Sequence, residues 1–206
     1  MYQPRQNTFI FRFFSWYISF ILKKDFHQLH FNSLAIEKGK SMLLLSNHFS
    51  WWDGFILFHL NKLLFNKQFH ILVNTENYRK VGFLKYLGAF APQHKGKDIL
   101  STIEYAANLL SKPENLVVIF PQGKLQSNHQ KEIAFEQGVL RIMEKCPQET
   151  QIIFAAHFAD YFAMRKPSLY SYLKIDNQHY EELTELNAAY NKHYEQSLVK
   201  QTQITK

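Results

Sequence analysis

Short apolar runs alternate along the chain with segments whose apolar residues recur at helical spacing. The apolar runs predict strands over residues 26–31, 42–46, 71–73, 116–120, 152–156 and 172–175. The helical pattern predicts helices over residues 51–64, 77–86, 99–110, 136–145 and 179–201. Strands that alternate with helices are typical of an α/β fold, so we expect a mainly parallel sheet flanked by helices.

The most hydrophobic segment, residues 9–22, precedes the first predicted strand. Its polar residues, with the lysine that follows, recur at helical spacing and form one thin stripe on an aromatic helix: Arg12, Ser15, Ser19 and Lys23. The fourteen residues of a helix over 9–22 cover only about 21 Å, less than the roughly 30 Å of a hydrocarbon core. The pattern therefore favours a helix that lies in the membrane interface.

An interfacial helix would contact lipid through a defined set of residues. Aromatic rings suit the headgroup depth and basic residues suit anionic headgroups, so we predict membrane contact by Arg12, Trp16, Tyr17, Lys23 and Lys24. The alternative is a helix packed into the protein core. On the first interpretation the chain divides into a membrane-associating helix, residues 1–25, and a second domain, residues 26–206.

The charge and aromatic content of the chain indicate what kind of surface or molecule it binds. The chain has 24 Lys and Arg against 17 Asp and Glu, a net charge of +7, and 16% aromatic residues. Such a surface suits an anionic membrane or a nucleic acid, and because no nucleic-acid module signature is present we predict the membrane. We expect a peripheral or monotopic protein at the cytoplasmic face. The single Cys146 excludes an intramolecular disulfide and is compatible with a reducing compartment.

A candidate general base follows the predicted strand 42–46. His48 and Asp53 are five positions apart, which would separate them by roughly 140° around a regular helix. The two side chains can meet if His48 lies in the turn that leaves the strand and Asp53 in the first turn of the next helix. An imidazole oriented by a carboxylate is the arrangement of a general base.

The same residues also fit a helix cap. Ser50 is a good N-cap residue, and Asp53 stands three positions later, where a carboxylate reaches back to form a capping box. In that interpretation His48 is an ordinary loop residue. The two interpretations are compatible, because a cap would also fix where Asp53 lies.

A second motif stands about seventy residues downstream, where Phe120-Pro121-Gln122-Gly123 ends a buried apolar run. Asn47-His48-Phe49-Ser50-Trp51-Trp52-Asp53 followed by this block resembles the NHxSxxD and FPxG motifs of the glycerolipid acyltransferases, which include the lysophosphatidate acyltransferases. The resemblance extends from about residue 26 to 175. It implies an α/β fold and the transfer of a fatty acyl chain to a hydroxyl of a lipid or lysolipid acceptor.

The resemblance also assigns roles. It implies that His48 removes the acceptor's proton while Asp53 orients the imidazole, with acyl-CoA or acyl-carrier protein as the acyl donor and neither cofactor nor metal. Neither motif contains a serine or cysteine at an evident nucleophile position, so we expect direct transfer without an acyl-enzyme. The predicted substrate-binding residues are Asn47, Ser50, Gln122, Gly123, Lys124, Lys95 and Lys97.

The chain departs from the family pattern in the region expected to hold the acceptor. The family's FPEGTR block has an acid where this chain has Gln122, and its arginine is missing here. The arginine that usually follows the glycine matching Gly88 is missing too, which leaves Lys95, Lys97 and Lys124 as point charges. These departures favour an acceptor without a terminal phosphate. They also leave two alternatives, a thioesterase and a lipid-binding protein that has lost turnover.

A last departure concerns the strand predicted over residues 152–156. The family usually has a proline after it, whereas this chain has His157. We interpret His157 as a core or loop histidine and not as a catalytic one.

Overall fold

Apolar runs of the sequence form one seven-stranded sheet with helices on both faces. The computed structural model describes residues 1–94, 96, 98–176 and 178–205. Its strands in this part of the chain are β1 (Gln28–Phe31), β2 (Met42–Ser46), β3 (Gln68–Leu72), β4 (Ala89–Phe90), β5 (Asn115–Ile119), β6 (Gln151–Asp160) and β7 (Ser168–Asp176). The α-helices are α1 (Thr8–Asp25), α2 (Asp53–Leu60), α3 (Thr75–Lys80), α4 (Ile99–Leu110), α5 (Gly138–Lys145) and α6 (Leu183–Thr202).

The strand order is β1-β7-β6-β2-β5-β3-β4. The five strands from β6 to β4 are parallel, β7 is antiparallel to β6, and β1 is parallel to β7. The prediction of an α/β fold with a mainly parallel sheet is therefore confirmed. In such a sheet the carboxyl ends of β2, β5 and β6 meet at one edge, and loops at this edge commonly form the binding crevice.

Each of the six predicted strands is present, and β6 and β7 are longer than predicted. They pair with each other along their full length, from Ile152↔Asp176 to Asp160↔Ser168, so cross-strand pairing carries them past the apolar positions. β4 has only two residues, too few to show a period-two pattern. The predicted helix over residues 77–86 is wrong: α3 ends at Lys80, and a separate 3₁₀ turn, Leu84–Leu87, follows Gly82, a weak helix former.

The central strands are buried on both faces. Leu44, Val118 and Ile153 belong to the core that α1 and α2 cover, whereas Leu43 and Phe154 belong to the core on the opposite face, which α4, α5 and α6 cover. Successive residues of a strand point to opposite faces, so a strand buried on both sides appears as a continuous apolar run. Both cores therefore follow from the continuous apolar runs of β2 and β5, residues 42–45 and 116–119.

α1 packs on α2 by one narrow side. Ile18 and Leu22 are at most 1% exposed, and the ring of Phe14 stacks on Phe83 with centroids 4.1 Å apart. The predicted polar stripe faces the protein in part, because Ser15 Oγ accepts from Lys62 Nζ at 3.2 Å. The exposed side of the helix is aromatic and comprises Phe9, Phe11, Phe13, Trp16, Tyr17 and Phe20. Within the described residues, no helix combines the length and hydropathy needed to cross a bilayer.

The end of α1 reaches the edge of the sheet where the carboxyl ends of the parallel strands lie. β1 starts at Gln28, which pairs with Ser168, and Ser168 pairs with Asp160, the last residue of β6. The backbone N–H of His27 also donates to the carbonyl of Pro167 at 2.8 Å. Because β1 and β7 pair in this direction, the last turn of α1 lies beside that edge.

Candidate active site

His48 and Asp53 are in contact, as the sequence predicts. His48 lies just after β2 and Asp53 is the first residue of α2, and the distance from His48 Nδ1 to Asp53 Oδ2 is 2.8 Å. The Asp53 side chain is 0% exposed and the His48 side chain is 19% exposed. Since the buried carboxylate accepts the proton on Nδ1, the unprotonated Nε2 of His48 is the atom available as a base.

The backbone before α2 holds the carboxylate in place. The N–H groups of Phe49 and Ser50 each donate to Asp53 Oδ2 at 2.8 Å, so this oxygen accepts three hydrogen bonds. Ser50 Oγ in turn accepts from the N–H of Trp52 at 3.2 Å. The N-cap residue of α2 is Trp52, which makes no side-chain capping bond, so the alternative with Ser50 as N-cap is wrong. The hydrogen bonds from Phe49 and Ser50 nevertheless fix the direction in which Asp53 points.

The loop after β5 encloses His48 from the other side. The ring of Phe120 stacks on the imidazole with centroids 4.0 Å apart. Gln122 Oε1 accepts from the N–H of His48 at 2.6 Å, and Gln122 Nε2 donates to Gln126 Oε1. The N–H of Gln126 closes the loop by donating to the carbonyl of His48 at 2.9 Å. The peptide groups on both sides of His48 are thus bound to one loop.

Gly123 lets this loop turn. Its φ is +65°, a conformation that side chains disfavour, and a Cβ there would lie 3.3 Å from Glu136 Cγ. The turn follows Pro121, whose carbonyl accepts from the N–H of Glu136 at 2.8 Å. Glycine at this position of the FPxG block therefore has a conformational reason.

Asn47 fastens the end of β2 to β6. Its Nδ2 donates to the carbonyl of His157 at 2.9 Å and its Oδ1 accepts from the N–H of His157 at 2.7 Å. Asn47 is only 2% exposed. Asn47 therefore has a structural role in joining the two strands, and its predicted contact with substrate stays a prediction.

An apolar cavity opens beside His48. Its volume is about 460 Å³, and His48, Phe120, Gly123 and Lys124 lie along it. The rest of its lining is mostly apolar and comes from α2, β3, the segment after β3 and the loop after β5: Trp51, Gly54, Phe55, Phe58, Phe69, Ile71, Leu72, Val73, Asn74, Asn77, Val81, Leu84, Leu87, Pro92 and Leu125. A cavity of this size and chemistry suits a flexible apolar chain whose polar end lies near the imidazole.

His157 lies in the interior behind the pair. It is 0% exposed, and its Nδ1 is 2.7 Å from Ser171 Oγ on β7. Burial lowers the pKa of His157 to about 4, an effect that the nearby negative charge of Asp53 opposes. The interpretation of His157 as a core histidine agrees with this complete burial.

The other predicted site residues are distributed unevenly. Ser50 lies within the turn before α2, and Lys124 lies along the cavity. Gln122 is 3% exposed, and its side-chain oxygen and nitrogen are bonded to His48 and Gln126. Lys95 and Lys97 lie outside the residues that the structure describes. The predicted membrane residues are all exposed on α1: Arg12, Trp16, Tyr17, Lys23 and Lys24.

Two further groups bear on the chemistry. Cys146 is partly buried, and burial raises the pKa of its thiol, which disfavours the reactive thiolate. Among the residues that the structure describes, no cluster of three or more His, Cys, Asp or Glu side chains is suited to hold a metal ion.

Comparison with known proteins agrees with this geometry. The chain matches the sequence model of the acyltransferase family over residues 28–157, a range that contains His48, Asp53 and the loop after β5. The chain belongs to the acyltransferase family. No curated protein matches this acyltransferase by sequence.

Among solved structures, the acyltransferase is similar to the 1-acyl-sn-glycerophosphate (LPA) acyltransferase PlsC from Thermotoga maritima. The TM-score is 0.68 at 10% sequence identity, and the match covers 95% of this chain and 81% of that chain. At this identity the likeness shows a shared fold. The glycerolipid acyltransferase resemblance seen in the two motifs is thereby supported at the level of family and fold.

Sequence patterns do not reveal three parts of the site. The stacking of Phe120 on His48 and the contact of Gln126 with the His48 carbonyl depend on the path of the loop after β5. The cavity depends on how β3 and the segment after it face α2. Its apolar residues have the same pattern as core residues, so no sequence signal separates a cavity lining from a packed core.

Proposed function

We propose that this acyltransferase moves a fatty acyl chain from an acyl thioester, acyl-CoA or acyl-carrier protein, to a hydroxyl of a lipid acceptor. One observation carries the proposal. A histidine oriented at 2.8 Å by a buried aspartate lies along an apolar cavity of about 460 Å³. The cavity suits the acyl chain, and in this proposal the reacting carbonyl of that chain lies beside the imidazole.

The proposed reaction is a direct transfer. The acceptor hydroxyl gives its proton to His48 Nε2 as its oxygen attacks the thioester carbonyl. The carbon–sulfur bond then breaks, and the leaving thiolate takes the proton from the imidazolium, which Asp53 stabilises meanwhile. The products are an ester and a free thiol, and no acyl-enzyme forms.

Backbone N–H groups of the loop after β5 are the proposed donors to the oxyanion. The N–H groups of Lys124 and Leu125 make no hydrogen bond within the described part of the chain, and both residues lie along the cavity with His48. Preorganised backbone donors of this kind stabilise the negative charge that develops on the carbonyl oxygen. The turn at Gly123 is what brings them to the cavity.

The proposed acceptor lacks a terminal phosphate. A dianionic phosphate needs charged donors when it leaves water, and an uncompensated buried charge is costly. At the family's acidic position this chain has the amide of Gln122, which contacts His48 and Gln126. No arginine occupies either of the family's two usual positions. A neutral or zwitterionic head group avoids that cost.

The proposed location is the cytoplasmic face of a membrane, with the exposed side of α1 in the lipid interface. Trp16 is 60% exposed, Phe13 55% and Phe20 50%, on a helix whose last turn carries Lys23 and Lys24. Aromatic rings beside basic residues favour the interface of an anionic bilayer. Because the last turn of α1 lies beside the sheet edge that carries His48, this placement brings the site to the lipid surface.

The proposal is tested with purified protein, radiolabelled acyl-CoA or acyl-carrier protein, and vesicles made from a total lipid extract. A new acylated lipid supports acyl transfer, and free fatty acid alone would indicate a thioesterase. No conversion with either donor would indicate a lipid-binding protein without turnover. In the matched control, His48→Ala should lower the transfer rate by roughly 10²- to 10⁴-fold, whereas a rate near that of the wild type would refute the general-base role.

A further inference from the structure

Two buried polar atoms, one in the His48–Asp53 pair and one on the residue behind it, have no hydrogen-bond partner among the described residues. They are Asp53 Oδ1 and His157 Nε2. The other oxygen of the same carboxylate, Oδ2, accepts three hydrogen bonds. Leaving a charged oxygen and an imidazole nitrogen buried without partners costs free energy, so their proximity to the catalytic pair needs an explanation.

The fold places His157 on the face of the sheet that α2 covers. Ile153 and Ala155 of β6 belong to the core beneath α1 and α2, and residue 157 continues that alternation. Ser171 pairs with His157 from the neighbouring strand β7, and it lies between Leu169 and Leu173 of the same core. Asp53 begins α2, so the aspartate and the imidazole lie on the same face.

The backbone of His157 is fixed relative to the active site. Asn47, the residue before His48, makes two hydrogen bonds to the peptide groups of His157, at 2.9 and 2.7 Å. The distance between the strand end that carries His48 and the strand that carries His157 is therefore set by a buried side chain. The contact of Nδ1 with Ser171 Oγ orients the imidazole ring as well.

The protonation state of His157 follows from its surroundings. Burial lowers its pKa to about 4, so the ring is neutral at physiological pH, and Asp53 is near enough to oppose that shift. A neutral imidazole has one donor nitrogen and one acceptor nitrogen. The contact of Nδ1 with Ser171 Oγ at 2.7 Å allows either assignment, because a hydroxyl can donate or accept.

We propose that His157 is a positioning residue for Asp53. The hydroxyl of Ser171 donates to His157 Nδ1, and the proton on Nε2 donates to a single bridging water molecule that in turn donates to Asp53 Oδ1. This assignment pairs the unpartnered donor with the unpartnered acceptor, and it rests on the proposed function for its catalytic meaning.

The second hydrogen bond would limit rotation of the carboxylate. One oxygen of Asp53 is bonded to His48 and the turn, and a donor at the other oxygen keeps the carboxylate plane in line with the imidazole. His157 does not touch the cavity and is 0% exposed. Its removal should therefore lower kcat and leave KM for both substrates unchanged.

Two amide substitutions separate this role from simple packing. The amide nitrogen of His157→Gln lies near the position of imidazole Nε2 and can donate to the bridging water. The amide of His157→Asn extends only as far as Nδ1 and can bond only Ser171. We expect His157→Asn to lose about 10- to 100-fold in kcat and His157→Gln to retain most of it. Urea unfolding of both variants reports their stability, and a purely structural role would lower kcat equally in the two.

The tautomer gives a readout that needs neither a variant nor activity. Histidine ring nitrogen spectra of the folded wild-type protein in detergent distinguish a proton on Nε2 from one on Nδ1. The proposal requires the proton of His157 on Nε2. A proton on Nδ1, or equal kcat in the Gln and Asn variants, would overturn it. Absence of acyl transfer in the wild type would instead refute the proposed function, and the tautomer would still decide the hydrogen bond.

Discussion

Removing the charge of Asp53 and removing its side chain should have different effects. In Asp53→Asn the amide oxygen can take the place of Oδ2 and accept from His48, Phe49 and Ser50 as the carboxylate does. The turn should therefore stay intact while the negative charge that stabilises the imidazolium is lost. We expect a fall in kcat on the order of 10²- to 10⁴-fold. The free energy of unfolding should fall less than in Asp53→Ala, because only the acceptor at the Oδ1 position is lost.

Asp53→Ala leaves the buried turn without its acceptor. Two backbone N–H groups, those of Phe49 and Ser50, then lose their partner. At roughly 1–3 kcal/mol for each unpaired buried group, and with some relief from water near the partly exposed turn, we expect the free energy of unfolding to fall by about 2–4 kcal/mol. The catalytic loss should be at least as large as in Asp53→Asn.

Urea unfolding measures the free energy of unfolding, and acyl transfer under saturating substrate measures kcat. Each variant is compared with the wild type in the same detergent or lipid, because any ligand that binds the native state raises the free energy of unfolding. If Asp53→Ala is as stable as the wild type, the three hydrogen bonds that Oδ2 accepts do not stabilise the turn. An Asp53→Asn enzyme with undiminished kcat would contradict the role of the charge.

Further predictions concern the cavity, the membrane, the acceptor and pH. Ile71→Phe should shift the preferred acyl chain to shorter lengths, because kcat/KM should fall by about fourfold for each CH₂ group of a longer chain that is no longer buried. The measurement covers a series of acyl-CoA lengths with Ile71→Val as control, and an unchanged profile would place the acyl chain elsewhere. Trp16→Ser should preserve folding, since the ring is 60% exposed, but weaken sedimentation with anionic liposomes; binding equal to that of wild type would argue against an interfacial α1. In a competition assay read by mass spectrometry, lysophosphatidate should lose to an acceptor without a terminal phosphate, and a clear preference for lysophosphatidate would show that lysines replace the missing arginines. Burial lowers the pKa of His193 to about 4, whereas histidines of the unfolded chain titrate near 6.5, so the unfolded chain takes up a proton that the native protein does not and the free energy of unfolding should fall as pH drops from about 6.5 to 4. His193→Gln should make that fall shallower in urea titrations at a series of pH values, and equal slopes would refute the assignment.

The sequence predicts those parts of the site whose contacts join residues close together in the chain. His48 and Asp53 stand five residues apart, and the turn that leads into α2 brings them together, so local rules suffice. Gly123 is similar, because a glycine after a strand and a proline indicates a turn. The sheet follows from apolar runs such as β2 and β5, whose length and flanks are visible in the sequence.

The other parts depend on contacts between distant segments. Gln122 resembles a substrate-facing residue in the motif, yet its amide turns inward to the N–H of His48 because the loop after β5 closes against β2. His157 appears as an ordinary polar residue after an apolar run, and its relation to Asp53 depends on the β2–β6 and β6–β7 pairings. Residues 77–86 contain a helical pattern that Gly82 interrupts, and this break positions side chains that line the cavity.

The contacts that complete the site also set when it forms during folding. The bond from His48 to Gln122 joins residues 74 apart in sequence, and those from Asn47 to His157 join residues 110 apart. Contacts of such separation close long loops and tend to form slowly. A chain that has collapsed and gained its helices would therefore still lack a constrained imidazole. Recovery of enzymatic turnover after dilution from denaturant should lag behind recovery of helical circular dichroism, which would make turnover a reporter of the last strand pairings.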